Sequence, residues 1–436
     1  ATRDMICARF VSRRLHVCRA CAGLSEAGLK TPEVPILSCG APSKVLAQKI
    51  FHAHEQVAVR VACGQSKDFQ ASQREAYIED RVAFFKASIT SGENERPRFF
   101  RQAVADVLSQ RDNSETCADS LCLLPDTSSV IKPLLRLLEV DETVLFPAPG
   151  PPLYLKNFLA SGKRVVPYFV ETESWERSLN GLVERIKNIP RSKPRLLLVQ
   201  NPCINGECIP EAACDALLHV ANEHNLIIVS HEETGPTLDP SKFIALRRRA
   251  IDLGVPVSII TVGSVDSYTG EPDGYLHGNM PTEFMKRLSD ESESPSLAKQ
   301  AWLASLLTPW PTASPTQEMS RLRSVLNNNS TVLSALNELG GMRYDIVDGA
   351  CYALPKVIVK GFVMKKAISV ATPADQVYCE EMLDRSRVKV TPGSVFGQKP
   401  GTFHFRISLM QEQDLFAEAV DRIKTFHARH ARGWFR

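Results

Sequence analysis

The stretch Ser258–Met280, SIITVGSVDSYTGEPDGYLHGNM, decides how the chain is read. Its first part is a buried strand, because Val257, Ile259, Ile260 and Val262 form a β-rich apolar run. Gly263, Ser264, Ser267, Gly270, Pro272 and Gly274 break that run and predict a loop. A strand end opening into a small-residue loop is where an α/β enzyme places its chemistry. Asp266 stands near the start of the loop, and no lysine occurs between Ser258 and Met280.

Upstream, strands are expected at Leu121–Leu124, Thr143–Pro147, Arg164–Phe169, Arg195–Gln200 and Asn225–Ser230, ahead of the strand at Val257–Val262. Helical spacing falls between them, at Ser128–Leu138 with Ser128 or Thr127 as its N-cap, Leu153–Ala160, Leu182–Ile189, Glu211–His224 and Phe243–Leu253. Helices are also expected at Val45–Val61, Ser72–Ser88 and Arg98–Leu108. Downstream lie two long ones, Met285–Leu306 and Pro315–Leu339, and an amphipathic helix, Asp414–Ala431, near the C-terminus. Strands that are continuously apolar and alternate with helices make a mainly parallel sheet covered on both faces. The fold class is therefore a three-layer α/β domain.

The 436 residues suffice for two or three domain-sized cores. With 44% apolar and 23% charged residues the composition is that of an ordinary soluble chain. No apolar run reaches the roughly 18 residues that suggest a membrane span. The net charge of +3 argues against a dedicated nucleic-acid binder. The first thirty residues set Arg3, Arg9, Arg13, Arg14, Arg19 and Lys30 against only Asp4 and Glu26, which resembles a mitochondrial targeting segment and predicts a mitochondrial, matrix-side location. Twelve cysteines without a secretory signal predict reduced thiols. Cys18 and Cys21 form a CxxC with Cys39 beyond it, but no second close pair follows, so no metal is expected. His219 with His224, and His427 with His430, read as core or surface histidines. No Walker loop and no GxSxG elbow occurs.

The run TPGSVFGQKPGTFHFRISL, Thr391–Leu409, resembles the end of an alanine aminotransferase. So do GACYALPK at Gly349–Lys356 and RPRFFRQAVADVL further upstream, and the register holds from about Phe69 to about Phe426. The resemblance implies a fold-type-I pyridoxal-phosphate architecture: an aminotransferase-like large domain with a smaller α+β domain built from both chain ends. Its expected divisions are a basic arm at 1–44, the N-terminal part of the small domain at 45–95, the large domain at 96–310 and the C-terminal small domain at 311–436.

By that resemblance the imine lysine falls on Asp266, and a carboxylate forms no Schiff base. The pyridinium-pairing aspartate falls on His231 and the following tyrosine on Thr234. The ring-contacting asparagine falls on Ile204, with Asn205 as a stand-in if the turn has shifted by one. The phosphate-binding arginine falls on Leu276, allowing one inserted residue, and the phosphate loop becomes Pro125-Asp126-Thr127-Ser128, with Asp126 placing like charge against a phosphate. The stacking tyrosine falls on Pro151, and the glycine of a substrate loop is lost at Ser72-Gln73-Arg74. Arg406, in Phe403-His404-Phe405-Arg406, keeps the arginine that binds the substrate carboxylate.

These substitutions lead to the expectation of a catalytically inactive pseudoenzyme, a structural accessory subunit with no cofactor. Its partners would be protein subunits of a large mitochondrial assembly, such as a respiratory-chain complex or the mitochondrial ribosome. RNA contact is possible through the basic termini, including Lys424–Arg436 with Phe426, Trp434 and Phe435. The alternatives are an enzyme with repurposed chemistry free of pyridoxal phosphate, using Asp266, His231, Glu232 and Arg406, or an amino-acid-binding sensor.

Overall fold

Seven strands form one sheet, and their burial follows from their sequences. We label the described elements in chain order: β1 (Leu37–Ser38), α1 (Arg98–Asp112), β2 (Cys122–Leu124), α2 (Ile131–Leu137), β3 (Thr143–Ala148), α3 (Pro152–Ala160) and β4 (Arg164–Phe169). There follow α4 (Trp175–Lys187), β5 (Arg195–Gln200), α5 (Glu211–Glu223), β6 (Leu226–Glu232), α6 (Leu246–Leu253), β7 (Ser258–Ser264), β8 (Gly274–Gly278) and α7 (Thr282–Glu291). The strand order is β2-β8-β7-β6-β5-β3-β4, with β8 alone running against the rest. The whole of β3 is buried, as is nearly all of β6 and β7. The edge strand β4 is largely open. Such runs must be covered on both faces. One face packs Leu145, Leu197, Val199, Ile228 and Ile259 against α4, α5 and α6. The other packs Val144, Phe146, Leu198, Val229, Ile260 and Val262 against α2, α3 and α7.

This computed structural model describes residues 37–38, 98–137, 143–171, 173–189, 195–232, 240–264, 274–296, 300 and 316–431. The expected helices at Val45–Val61 and Ser72–Ser88, and the substitution at Ser72-Gln73-Arg74, lie outside those residues. All described residues belong to one compact unit, residues 36–436.

Several expectations are corrected. The stretch after β7 is not all loop, because Gly274–Gly278 returns as β8, paired antiparallel to both β7 and β2. The cap of α2 is neither Ser128 nor Thr127; the Asp126 carboxylate serves that end, separated from the helix by a turn. α4 begins at Trp175, well before the expected Leu182, because Ser174 accepts a hydrogen bond from the Arg177 N–H and Glu176 sits in the first turn. α7 begins at Thr282 behind Pro281 and ends at Glu291, where Ser292 turns extended, so the expected helix Met285–Leu306 stops there.

The second lobe comprises α8 (Thr316–Ser334), β9 (Met342–Arg343), β10 (Tyr352–Ala353), β11 (Lys356–Val357), α9 (Gly361–Ser369), α10 (Ala374–Ser386), β12 (Val388–Lys389), β13 (Thr391–Pro392), β14 (Phe405–Ser408) and α11 (Gln413–Ala431). β14 is the centre of a three-stranded antiparallel ladder between β10 and β13, and β12 pairs in parallel with β1. Their core includes Val377, Tyr378, Met382, Ile407, Phe416, Val420 and Ile423.

Two histidines join that core. His427 shares a 2.9 Å hydrogen bond with the Tyr378 hydroxyl through Nδ1, and its Nε2 lies 3.1 Å from the Gly340 carbonyl. His430 is fully buried among Phe362, Tyr378, Phe426 and His427. Burial, reinforced by His427 and Lys360 and opposed by Glu381, pushes His430 down to about 4. A histidine kept neutral in the folded state must take up a proton to unfold in acid. Its contribution is therefore present above the unfolded pKa of roughly 6.5 and is lost as pH falls towards 4. Urea titrations between pH 7 and pH 4 are expected to show stability falling through that window. The fall should be shallower in a His430→Phe variant.

Candidate active site

The loops at the carboxyl ends of parallel strands carry the sites of open α/β sheets, above all where the strand order reverses. Here the chain passes from β3 outward to β4 and then back to β5 on the other side of β3. Most of the residues singled out in the sequence fall at these strand ends.

After β2 the chain turns through Pro125–Val130 into α2. Asp126 Oδ1 accepts hydrogen bonds from the Ser128 N–H at 2.7 Å, the Ser128 hydroxyl at 2.5 Å and the Ser129 N–H at 3.0 Å. Backbone amides ahead of a helix are an anion cup, and this one is filled by the chain's own carboxylate. Gly274 lies so close that a Cβ would stand 2.8 Å from the Asp126 carbonyl carbon.

After β3, Pro151 is buried at the N-cap of α3 and has no side-chain capping bond. The aromatic ring nearest to Pro151 on that helix is Tyr154, one turn on. Its hydroxyl donates to the Thr127 carbonyl at 2.9 Å, and its ring centroid lies 4.9 Å from that of His231. His231 itself is buried at the end of β6. Tyr154 thus joins the cup, α3 and β6, a role that sequence reading missed because the ring is displaced from the expected position.

After β5, Ile204 is half-buried in a turn closed by the Cys203 N–H to Glu207 carbonyl bond at 2.8 Å. Asn205 turns inward on that loop, accepting from the Glu207 N–H at 3.2 Å. Leu276 is an interior residue of β8, paired to Cys122 and Val262 and packed in the apolar core. Asp266 and Thr234 lie outside the described residues.

Arg406 comes from the second lobe, on β14 opposite Thr391. Its guanidinium carbon lies 4.3 Å from the Tyr352 ring centroid and 4.6 Å from that of Phe396.

Beneath β6 and β8 is a buried charged group of which sequence reading named only Glu232. Arg111, at the end of α1, donates to Asp112 at 2.5 and 2.9 Å, to Glu232 at 2.7 Å and to the Tyr275 hydroxyl at 2.9 Å, with the Phe243 ring at 4.8 Å. Ser230 donates to the other Glu232 oxygen at 3.0 Å. Burial works against the Arg111 charge, but Tyr275, Glu232 and Asp112 outweigh it and hold the guanidinium protonated. Burial raises the Glu232 carboxyl above its ordinary range, against the pull of Arg111. The signal available in sequence was a bare Arg111-Asp112 at a helix end, which looks like a solvated surface.

The sheet order, the single reversed strand and the helices on both faces define a fold-type-I aminotransferase body. A sequence model of the aminotransferase class I and II family matches residues 90–423, and the chain belongs to that family. It is 26% identical over 354 residues to a probable mitochondrial alanine aminotransferase of Dictyostelium discoideum, covering 75% of this chain and 66% of that protein. It is 26% identical to the mitochondrial alanine aminotransferase 2 of Arabidopsis thaliana, covering 75% and 65%. To glutamate–glyoxylate aminotransferase 2 of the same plant it is 23% identical, covering 75% and 73%. The chain thus spans about two thirds of the length of the first two relatives. The solved alanine aminotransferase of Pyrococcus furiosus superposes with a TM-score of 0.66 at 19% identity, covering 91% of this chain and 93% of that one, and shares the fold.

These relatives correct the expectation drawn from the substituted positions. They carry the names of enzymes, alanine and glutamate–glyoxylate aminotransferases, and none is a structural subunit of a respiratory-chain complex or a ribosome. The reading as a non-enzymatic pseudoenzyme is overturned on that ground, and so is the expected absence of a cofactor, because the family works with pyridoxal phosphate. At individual positions, however, the described residues do not fit that cofactor. The amides that would hold its phosphate already bind Asp126, and the end of β6 offers the His231 ring where the pyridinium would need a carboxylate.

Two variants test the buried network. Removing one partner from a buried ion pair costs about 3–5 kcal/mol, so Glu232→Ala is expected to lower the unfolding free energy by about that much. A Cβ on Gly263 would stand 2.1 Å from the Tyr275 hydroxyl, so Gly263→Ala should cost about 1–3 kcal/mol through overpacking. Gly181 has no neighbour within 4 Å of a built Cβ and lies within α4, so Gly181→Ala should instead stabilise by about 0.5–1 kcal/mol. Urea unfolding of the three proteins checks both signs.

Proposed function

We propose that the chain is an enzyme acting on an α-amino acid or a 2-oxo acid, which it holds by the carboxylate at Arg406. The observation that carries this is the Arg406 guanidinium, stacked between two aromatic rings on β14. A guanidinium offers paired N–H donors in a fork that matches the two oxygens of a carboxylate, and such bidentate bonds are strong and directional. The substrate class is supported by relatives named for alanine and for glutamate with glyoxylate. A mitochondrial location, on the matrix side, belongs to the same proposal. It is supported by the arginine-rich first thirty residues and by the mitochondrial names of relatives.

In this reading the chain's own residues bind and orient. Arg406 fixes the carboxylate end. Tyr154, held by its bond to Thr127, covers His231. Asp126 presents a satisfied carboxylate in the anion cup, so a second anionic group meets like charge there. Asp266, where the family carries its lysine, is assigned no covalent step because a carboxylate forms no imine.

Calorimetric titration with L-alanine, L-glutamate and glyoxylate tests this, with L-alaninamide as the control that lacks a carboxylate. The acids are expected to bind and the amide not. Arg406→Ala should weaken the acids about 10- to 100-fold, the worth of one or two hydrogen bonds to a charged group. Equal binding of acid and amide, or an Arg406→Ala affinity equal to wild type, overturns the reading.

A further inference from the structure

We propose that the chain binds a small inorganic monoanion, of the size of chloride, between Arg247 at the start of α6 and the pair Thr261 and His277 on β7 and β8. The site lies on the face of the sheet that α1 and α6 cover, and it does not depend on how Arg406 is used.

α6 begins against its own electrostatics. Arg247, Arg248 and Arg249 follow Leu246 in its opening turns, no acidic residue stands in the first turn, and the N-cap, Ala245, makes no side-chain capping bond. The amino end of a helix carries positive partial charge and unpaired N–H groups, so a run of cations there is unfavourable unless anions offset it. Two of the three arginines have their anions. Arg248 pairs with Asp252 at 2.6 Å, and Arg249 with Asp215 at 2.6 Å and with Glu211 at 2.8 Å. Arg247 has no such partner among the described residues, and its Nε is buried without an acceptor.

The second observation comes from the sheet. Thr261 and His277 are directly opposite each other in the β7–β8 pairing, so their side chains leave the same face side by side. They are 1% and 2% exposed, and among the described residues Thr261 Oγ1 and His277 Nε2 meet no hydrogen-bonding partner. Buried polar atoms in folded proteins are paired, and orphans gathered in one place call for an ion or a water. His277 lies within the field of Arg247: burial, reinforced by Arg247 and Arg111, holds the ring well below its ordinary pKa and keeps it neutral. The chain leading into α6 covers the same face, since the Phe243 ring stacks on Arg111 at 4.8 Å and Leu246 packs in one cluster with Ile259.

The donor set selects an anion. The Arg247 Nε–H can only donate, the Thr261 hydroxyl can donate, and the neutral His277 ring donates from Nε2 in the tautomer that carries its proton there. Glu232, on the neighbouring strand, is engaged elsewhere, accepting from Arg111 and Ser230. A water would meet the donors but would leave the charge of Arg247 and the positive end of α6 without an offset, whereas a monoanion satisfies both.

The test uses the full chain with chloride and bromide as probes. At constant ionic strength set with sodium gluconate, the chloride NMR line should broaden on adding wild type and show saturable binding. Bromide-soaked crystals should carry an anomalous peak between Arg247, Thr261 and His277. Arg247→Gln and Thr261→Val should each weaken chloride about 10- to 100-fold, the worth of one hydrogen bond to a charged group. Thr261→Ser keeps the hydroxyl, and Arg248→Gln removes an arginine that Asp252 already neutralises, so both should bind within about twofold of wild type. An anion held only by the folded chain stabilises it, so wild type should gain resistance to urea as gluconate is exchanged for chloride, and Arg247→Gln should not.

Density at the site without a bromide signal, or no peak there at all, overturns the proposal, and water is then the most that the orphans hold. Equal chloride binding by wild type, Arg247→Gln and Thr261→Val overturns it as well, because the halide is then an adventitious ion only. The bromide experiment on wild type decides the matter even if a variant fails to fold.

Discussion

A buried guanidinium anchors the carboxyl end of the central strands. Arg111 leaves the end of α1 and meets Asp112, Glu232 and Tyr275 at once. Those partners come from α1, β6 and β8, so one side chain fixes a peripheral helix, a central parallel strand and the reversed strand. Such a group is worth little as raw attraction, because desolvating two charges costs several kcal/mol per ion. It is expensive to break, however, and that asymmetry makes it a constraint on geometry. Gly263 is part of the same device. Without a side chain there, the Tyr275 ring lies flat across β7 and delivers its hydroxyl to Arg111. Glu232 directly follows His231, so the network also sets the height at which β6 ends and at which His231 meets Tyr154.

The strands were the most legible part of the sequence. Thr143–Ala148 and Arg195–Gln200 fall where their apolar runs put them, because a central parallel strand must be apolar on both faces. β8 was not legible. Gly274 and Gly278 flank only three residues, and in sequence that looks like the tail of a loop. In the fold, both glycines are demanded by backbone passing close by: Gly274 against Asp126 and Gly278 against the Ile259 carbonyl. α4 was read two turns short although Trp175 and Leu179 continue its apolar face towards Leu182 and Ile186; its beginning is marked by the Ser174 cap.

The site was legible in a different way. Arg406 was found by likeness to a family motif, but the rings that flank it were not. Tyr352, Phe396 and Arg406 converge only through β-pairing and a 3-10 turn, and no spacing rule joins them. Functional class was where the sequence reading went astray. Counting substituted cofactor positions gave each one weight as a lost function. The similarity across residues 90–423 and the enzymes that share it carry more weight on class.

The altered cup follows from the same accounting of polar groups that governs any helix start. Amides ahead of a helix need an acceptor, and leaving them without one in a partly buried place is costly. In this chain Asp126 supplies it at 2.7 and 3.0 Å from a side chain two and three residues away. A capping carboxylate of that kind is worth about 1 kcal/mol, and it also lies favourably in the dipole of the helix that follows. Any anion entering the cup competes with a tethered group at very high effective concentration and brings like charge against it. At Arg406 the half-buried group is a cation, and the faces of Tyr352 and Phe396 attract it. The α2 end is already satisfied by the chain's own carboxylate, whereas β14 presents a guanidinium held against two aromatic faces.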